Sequence, residues 1–366
     1  MNFDWNQVNH AIFVGERDPD HLKMHHEGGF VDDSVFSEFC SDTGLIRRRV
    51  NRAAIRGLLE LGASLIFNRM DLYAFALGQL CGEVSRITRA STVANGYVAF
   101  RDKESFGRHW DTHDVFAVQL IGRKRWLVYT PTEELPGSGN RSKHRKHECP
   151  ADPVLDIVLE AGDVLYLPRG WWHTAIPLCE ETFHVAIGVH PIKVVDYLTW
   201  IVDEMEPSNV SMRRSLLDKQ PSDVQSLLAE VGKTIAAAIE DPESFDRFKR
   251  ERLGAERMPT LPTLPLQRQD VKPDEASWRD SLIRLSSRRA AGEIASKERI
   301  NGAALELGKP AVDMLRILAE SGSVRFEDLA ARSGIDEERL RYMLSDLRTY
   351  DVISRETALA PAIAQP

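Results

Sequence analysis

GRHWDTHDVFAVQLIGRKRWLVY (residues 107–129) and AGDVLYLPRGWWH (residues 161–173) are the two stretches on which the reading of this 366-residue chain turns. In the first, DVFAVQL (114–120) and KRWLVYT (124–130) are runs of Val, Leu, Ile and aromatic residues separated by Gly122-Arg123. β-Branched and aromatic side chains in runs of this length, bounded by turn residues, predict strands. In the second, Ala161-Gly162-Asp163 is a turn, DVLYLP (163–168) a strand and Pro168-Arg169-Gly170 another turn. Working outward, GYVAF (96–100), LDIVLE (155–160) and HVAIGVH (184–190) have the same character. Residues 91–191 therefore read as an antiparallel sandwich or barrel.

The flanks have a different period. Apolar residues at three- and four-residue spacing in AAIRGLLELGASLIF (53–67) and MDLYAFALGQLCGEV (70–84) make the first 90 residues mainly helical. The helical period returns in VVDYLTWIVDEM (194–205), DVQSLLAEVGKTIAAAIE (223–240) and SFDRFKRERL (244–253). MPTLPTLPLQRQDVKPDE (258–275), with Pro259, Pro262 and Pro265 at every third position, reads as a stiff connector. Beyond it PAVDMLRILAES (310–321), FEDLAARSG (326–334) and DEERLRYMLSDLRTY (336–350) are amphipathic helices, and VISRE (352–356) is a short strand. Helix, helix, turn, helix, strand is the outline of a winged helix. The last residues, ALAPAIAQP, read as a frayed tail.

Composition bounds the function. A hydrophobic fraction of 43% and a charged fraction of 28% are those of a soluble globular protein. No apolar run reaches the roughly 20 residues of a membrane helix, and the polar, acidic start MNFDWNQVNH lacks the pattern of a secretory signal. A cytoplasmic protein without membrane contact is expected. Four scattered cysteines without a CxxC pair point to neither a disulfide framework nor a thiolate zinc site. A net charge of −8 argues against a protein built chiefly to hold nucleic acid.

His109 and Asp111 stand two apart at the entrance to a strand, where residues i and i+2 share a face and converge on one point. With 11 histidines in the chain, roughly one His-x-Asp match arises by chance, so the pair alone decides nothing. The frame does: the pair leads into a strand, and a later strand and turn bring in His173 as a third ligand. Two histidines and one carboxylate form a facial set with open opposite positions, which suits non-haem Fe(II). Both histidines must be neutral to bind, so metal affinity is expected to fall below about pH 6.5.

From about Asn95 to Pro191, carried by HWDTHDVFAVQLIGRKRW and AGDVLYLPRGWWH, the sequence resembles the JmjC-type, cupin-fold 2-oxoglutarate oxygenases, in particular their ribosomal-oxygenase-like branch. The resemblance implies an α+β protein built on a double-stranded β-helix (a cupin or jelly-roll barrel) with N-terminal helices, a helical dimerisation segment and a C-terminal winged helix. The corresponding ranges are a catalytic domain with its N-terminal helical region over 1–191, the helical segment over 192–257, the Pro-rich linker over 258–275 and the winged-helix-like domain over 276–366. It implies Fe(II) on His109, Asp111 and His173, and 2-oxoglutarate with its distal carboxylate on Lys124, helped by the Tyr97 hydroxyl. By spacing alone, Lys124 reads equally well as a solvated lysine in a basic turn beside Arg123 and Arg125. Ala186 stands where some relatives place a hydroxyl. The implied reaction consumes dioxygen, releases succinate and carbon dioxide, and hydroxylates a C–H bond of a protein or peptide. A ribosomal protein is the leading substrate, with arginine or histidine as the target, and a homodimer is the implied assembly.

Other residues have plainer readings beside the sharp ones. His113 shares a face with Asp111 and is a substrate-contact candidate, though a hydrogen-bonded histidine at the barrel mouth explains it as well. His184 and His190 read as structural or surface residues, RSKHRKHEC (141–149) as a solvated basic loop, and Trp171 and Trp172 as core or as aromatic walls beside the metal. The competing class of function is a non-catalytic regulator, a ligand-sensing cupin barrel joined to a DNA-binding winged helix. Against it, the candidate recognition helix opens with Asp336, Glu337 and Glu338, which suit a helix N-terminus and repel phosphate.

Overall fold

The computed structural model of the chain describes residues 3–15, 21–31, 35–40, 42–102, 104–255, 278–279 and 281–357. It divides into two compact units, Met1–Pro191 and Ile192–Pro366. The expected connector over 258–275 and the tail ALAPAIAQP lie outside the described residues.

The first unit runs α1 (Trp5–Gly15), β1 (Leu22–His26), β2 (Gly29–Phe30), β3 (Phe36–Cys40), β4 (Ile46–Val50), α2 (Arg52–Glu60), β5 (Ser64–Phe67) and α3 (Phe75–Thr88). It continues with β6 (Ser91–Ala99), β7 (Asp114–Ile121), β8 (Lys124–Tyr129), β9 (Leu155–Leu159), β10 (Val164–Leu167), β11 (Trp172–Pro177) and β12 (Thr182–His190). Seven strands form one antiparallel sheet in the order β10-β7-β12-β6-β5-β1-β2, and three form a second in the order β11-β8-β9. β3 and β4 pair as a separate hairpin.

The large sheet has two covered faces, which explains why β12 is buried along almost its whole length. Phe183, Val185 and Ile187 pack outward into a core shared with Val8, Ile55, Leu59 and Leu77 from the three helices. Phe183 stacks on Phe3 at 5.4 Å and meets Phe67 edge-on at 6.1 Å. Burial of one such side chain stabilises by roughly 1.5–3 kcal/mol. On the inner face, Val115 and Ala117 of β7 meet Trp126, Val128, Leu159 and Leu167. The sheet alternation therefore separates a greasy outer layer from an interior that holds polar side chains.

Several expectations need correction. The periodic stretch 53–67 is not one helix: α2 stops at Glu60, Gly62 takes φ +95°, and SLIF becomes the fully buried strand β5. A four-residue run with three adjacent apolar side chains carries no period that separates helix from strand. The region before residue 90 is not mainly helical either, since five strands lie within it. Residues 172–177, to which the sequence assigns no element, are strand β11.

The second unit has α4 (Val194–Met205), α5 (Pro221–Glu240) and α6 (Pro242–Ala255), then β13 (Ser281–Leu285) and the hairpin β14 (Lys297–Ile300) with β15 (Ala303–Glu306). It ends with α7 (Lys309–Ser321), β16 (Ser323–Arg325), α8 (Phe326–Ser333), α9 (Glu337–Thr349) and β17 (Ile353–Thr357). Strands β16, β13 and β17 form a small sheet over a core of Trp278, Ile283, Met314, Leu315, Phe326, Leu340 and Leu344. Asp336 caps α9 by accepting from the Arg339 amide at 2.9 Å, so the acids at its start serve the helix terminus. Arg341 of the same helix is 6% exposed and sits over the Phe326 ring. No helix among the described residues is long and apolar enough to cross a membrane.

Candidate metal centre and anion pocket

The segment 105–111 bridges the two sheets of the first unit. The His109 amide donates to the His173 carbonyl at 3.1 Å, and the His173 amide donates to the His109 carbonyl at 2.8 Å. This reciprocal pair sets the two imidazoles side by side, with ring centroids 4.4 Å apart. Each ring then uses Nδ1 in the same way, as a donor to the carbonyl two residues earlier: Gly107 at 2.9 Å for His109 and Trp171 at 3.0 Å for His173. A carbonyl can only accept, so the proton rides on Nδ1 and the Nε2 lone pairs are free.

Asp111 completes the group. Its Oδ2 lies 3.7 Å from His173 Nε2, and one ligand atom from each of His109, Asp111 and His173 falls within 4.8 Å of the others. The carboxylate is held in place through its backbone, whose carbonyl accepts from the Gly170 amide at 3.0 Å. Burial tends to raise the Asp111 carboxyl, but the neighbouring His109 and His173 outweigh this and hold it below its ordinary value.

The three residues open into a cleft of about 700 Å³, counting the space at its mouth, lined also by Tyr97, Lys124, Trp126, Thr174, His184 and Ala186. Lys124 is 3% exposed. Its Nζ lies 2.8 Å from His184 Nδ1, and no carboxylate pairs with it among the described residues. Burial alone pushes the Lys124 ammonium down to about 7. Tyr97, which faces His184 across the β6–β12 ladder, stacks on that ring at 4.9 Å and 12°. Burial and then the Asp111 charge push its phenol up. The pocket thus has three metal-ligand groups and an unbalanced buried cation.

The structure brings together all five residues singled out for the site: His109, Asp111, His173, Lys124 and Tyr97 all line the cleft. The plain reading of Lys124 as a solvated lysine is ruled out by its burial. His184, read as structural or surface, is not at the surface: it is 6% exposed and on the cleft wall. The signal was available: in HVAIGVH it shares a face with Ala186 and Gly188, which points it inward if the Val and Ile side chains face the core. Trp172 is no wall of the cleft but a core residue with Trp110 and Tyr129, and the wall is Trp126, 6.1 Å from the His173 ring. His113 stacks on His190 at 4.5 Å. The 141–149 loop leaves His144 and His147 exposed and is fastened to the His109 segment, Ser142 Oγ donating to the Trp110 carbonyl and Lys146 Nζ to that of Phe106.

Residues 76–197 match the family model described as JmjC domain. The helices and antiparallel sheets around this matched stretch fit a JmjC/cupin-type fold. Among proteins of known function it is similar to the bifunctional lysine-specific demethylase and histidyl-hydroxylase NO66 of Drosophila persimilis, 39% identical over 134 residues, or 36% of this chain and 19% of that one. The Drosophila yakuba protein of the same name is 32% identical over 210 residues, covering 54% of this chain and 30% of that one. The chain thus aligns with less than a third of the length of these relatives. Among solved structures it is similar to the ribosomal oxygenase YcfD of Escherichia coli, with a TM-score of 0.58 at 17% identity, covering 95% of this chain and 90% of that one. YcfD has also been solved with cobalt and 2-oxoglutarate.

Burial and the neighbouring His109 carry His173 down to about 4. The His173 ring therefore keeps its Nε2 lone pair well below pH 6.5. The unfolded chain takes up the proton first, so this residue costs stability as pH falls from about 6.5 towards 4 and nothing above that window. Long-range ¹H–¹⁵N spectra of the metal-free protein at pH 5.5 are expected to show His173 as the neutral Nδ1–H tautomer. A protonated ring at that pH contradicts the account.

Proposed function

We propose that the chain is an Fe(II)- and 2-oxoglutarate-dependent oxygenase that hydroxylates a side chain of a protein or peptide. One observation carries the reading furthest: the buried Lys124 ammonium, without a carboxylate partner among the described residues, lines the same cleft as the His-Asp-His group. A buried charge needs compensation, and an anion that spans from the three ligands to Lys124 supplies it. A dicarboxylate keto acid has that form.

The residues fit the cofactors. His109 and His173 offer neutral Nε2 atoms fixed in tautomer by their own backbone, and Asp111 adds the hard oxygen ligand. When bound, iron with 2-oxoglutarate supplies the activation of dioxygen, with succinate and carbon dioxide as coproducts. The protein's share is to hold and exclude. Lys124 and the Tyr97 hydroxyl would take the distal carboxylate, and Trp126 with Val115 of β7 and Ala186 of β12 would keep water from the reacting centre.

The relatives' names favour a protein substrate, and a ribosomal protein with arginine or histidine as the target is the proposed class. The C-terminal helices and three-stranded sheet are proposed to be a winged helix that contacts protein. The regulator reading fares worse, because α9 opens with acids and its Arg341 is buried. A cytoplasmic location goes with a ribosomal substrate.

Dimerisation is proposed through α4, where Val194, Val195, Leu198 and Val202 are 76%, 58%, 37% and 39% exposed. An apolar face of this kind on a soluble chain marks an interaction surface. Sedimentation equilibrium at micromolar concentration is expected to give a dimer, and a monomer there removes the proposal. For the cofactor site, anaerobic titration with Fe(II) and 2-oxoglutarate is expected to produce the visible charge-transfer band of the chelate. Asp111→Ala should abolish the band, and Lys124→Ala should weaken 2-oxoglutarate binding by roughly 10- to 100-fold. Folded wild-type protein that gives no band overturns the oxygenase reading.

A further inference from the structure

Among the described residues Lys124 has one side-chain hydrogen-bond partner, and that partner is a base. The bond from Lys124 Nζ to His184 Nδ1, 2.8 Å long, runs from β8 in the small sheet to β12 in the large one. It therefore crosses the barrel. Four rotatable bonds separate the lysine backbone from its ammonium, so the stem alone fixes the charge poorly.

His184, by contrast, is held on several sides. Its ring lies flat on Tyr97 at 4.9 Å and 12°, and the Trp126 ring stands edge-on to it at 5.3 Å and 87°. Its backbone follows a bulge between Phe183 and His184 where β12 slips against β7. Gln119, fully buried, fastens that bulge: its Nε2 donates to Thr182 Oγ1 at 2.7 Å and to the Ile121 carbonyl at 2.9 Å. Bulges of this kind re-aim one side chain and are over-represented near active sites.

We propose that His184 is a positioning residue for the keto-acid cosubstrate, accepting one hydrogen bond from Lys124 Nζ and so fixing the ammonium at one point of the cleft wall. An ammonium has three protons, and one given to His184 leaves two for a carboxylate. With Nδ1 used as the acceptor, the imidazole is neutral and its own proton lies on Nε2. Pre-organisation of this kind lowers the entropy cost of binding, and it fixes the distance from Lys124 to the three metal ligands. The arrangement thereby favours a keto acid with a second carboxylate at the matching reach. This inference rests on the oxygenase reading above and goes beyond it in assigning His184.

The test uses the full chain loaded anaerobically with Fe(II). Affinities are measured from the chelate band for 2-oxoglutarate and for 2-oxopentanoate, which keeps the keto acid but lacks the distal carboxylate. His184→Phe and His184→Leu remove the acceptor, and either one suffices if it folds by circular dichroism and thermal melting. Each is expected to weaken 2-oxoglutarate about tenfold or more while leaving Fe(II) and 2-oxopentanoate binding as in the wild type. His184→Asn, which offers an amide oxygen in place of Nδ1, is expected to recover 2-oxoglutarate binding to within about threefold. Adding His184→Phe to Lys124→Ala should bring no further loss, because the two residues act as one unit. Wild-type affinity in both acceptor-less variants overturns the proposal, as does an equal loss for both keto acids. A wild type without any band sinks the oxygenase reading instead. A loss in Lys124→Ala with none in the His184 variants sinks only the role of His184.

Discussion

Two backbone hydrogen bonds between His109 and His173 are the constraint on which the rest of the site depends. They join a loop to a strand of the small sheet, and they bring together two residues far apart in the chain. Because a β-pair fixes the directions of both Cβ atoms, the two imidazoles are placed before any side-chain interaction acts. Each Nδ1 then finds the carbonyl two residues earlier, a local device used twice. The tautomers that result leave both Nε2 atoms bare beside Asp111, and no acidic partner is needed to orient either ring.

The interior of the barrel is polarised by this arrangement. Asp111 stands with the two histidines in one part of the cleft, and Lys124 with Tyr97 and His184 lines another. The same physical cause, burial, disfavours both charges, acting to raise the Asp111 carboxyl and to lower the Lys124 ammonium. Asp111 has neighbours that restore its charge. Among the described residues Lys124 has only a neutral imidazole acceptor, so its charge is left to be balanced by whatever enters the cleft.

Much of this was legible in the sequence, for reasons that can be stated. His109, Asp111 and His173 stand out because turns and strands frame them, and the strands β7 to β10 and β12 were visible as β-branched runs between glycines. The helices over 194–255 and 309–349 were visible because their apolar period persists for three or more turns. What failed was short or doubly covered. Ser64–Phe67 has three consecutive apolar residues and no period, and Trp172–Pro177 mixes an indole, a histidine and a proline that no strand pattern predicts. The hairpin over 297–306, four residues to a strand, has no reading of its own in the sequence. His184 was passed over because a lone histidine in an apolar strand has no partner in the sequence; Lys124 is 60 residues away along the chain and 2.8 Å away in space.

The most direct measurement of the central claim is a crystal structure of the full chain grown anaerobically with Mn(II), as a redox-stable stand-in for Fe(II), and 2-oxoglutarate. Anomalous scattering would locate the metal independently of any assumption about its ligands. The account predicts one strong peak between His109 Nε2, Asp111 and His173 Nε2, with the keto acid on the metal and its distal carboxylate at about 2.8 Å from Lys124 Nζ. A peak elsewhere, or a distal carboxylate held by a different cation while Lys124 keeps only His184, would contradict it.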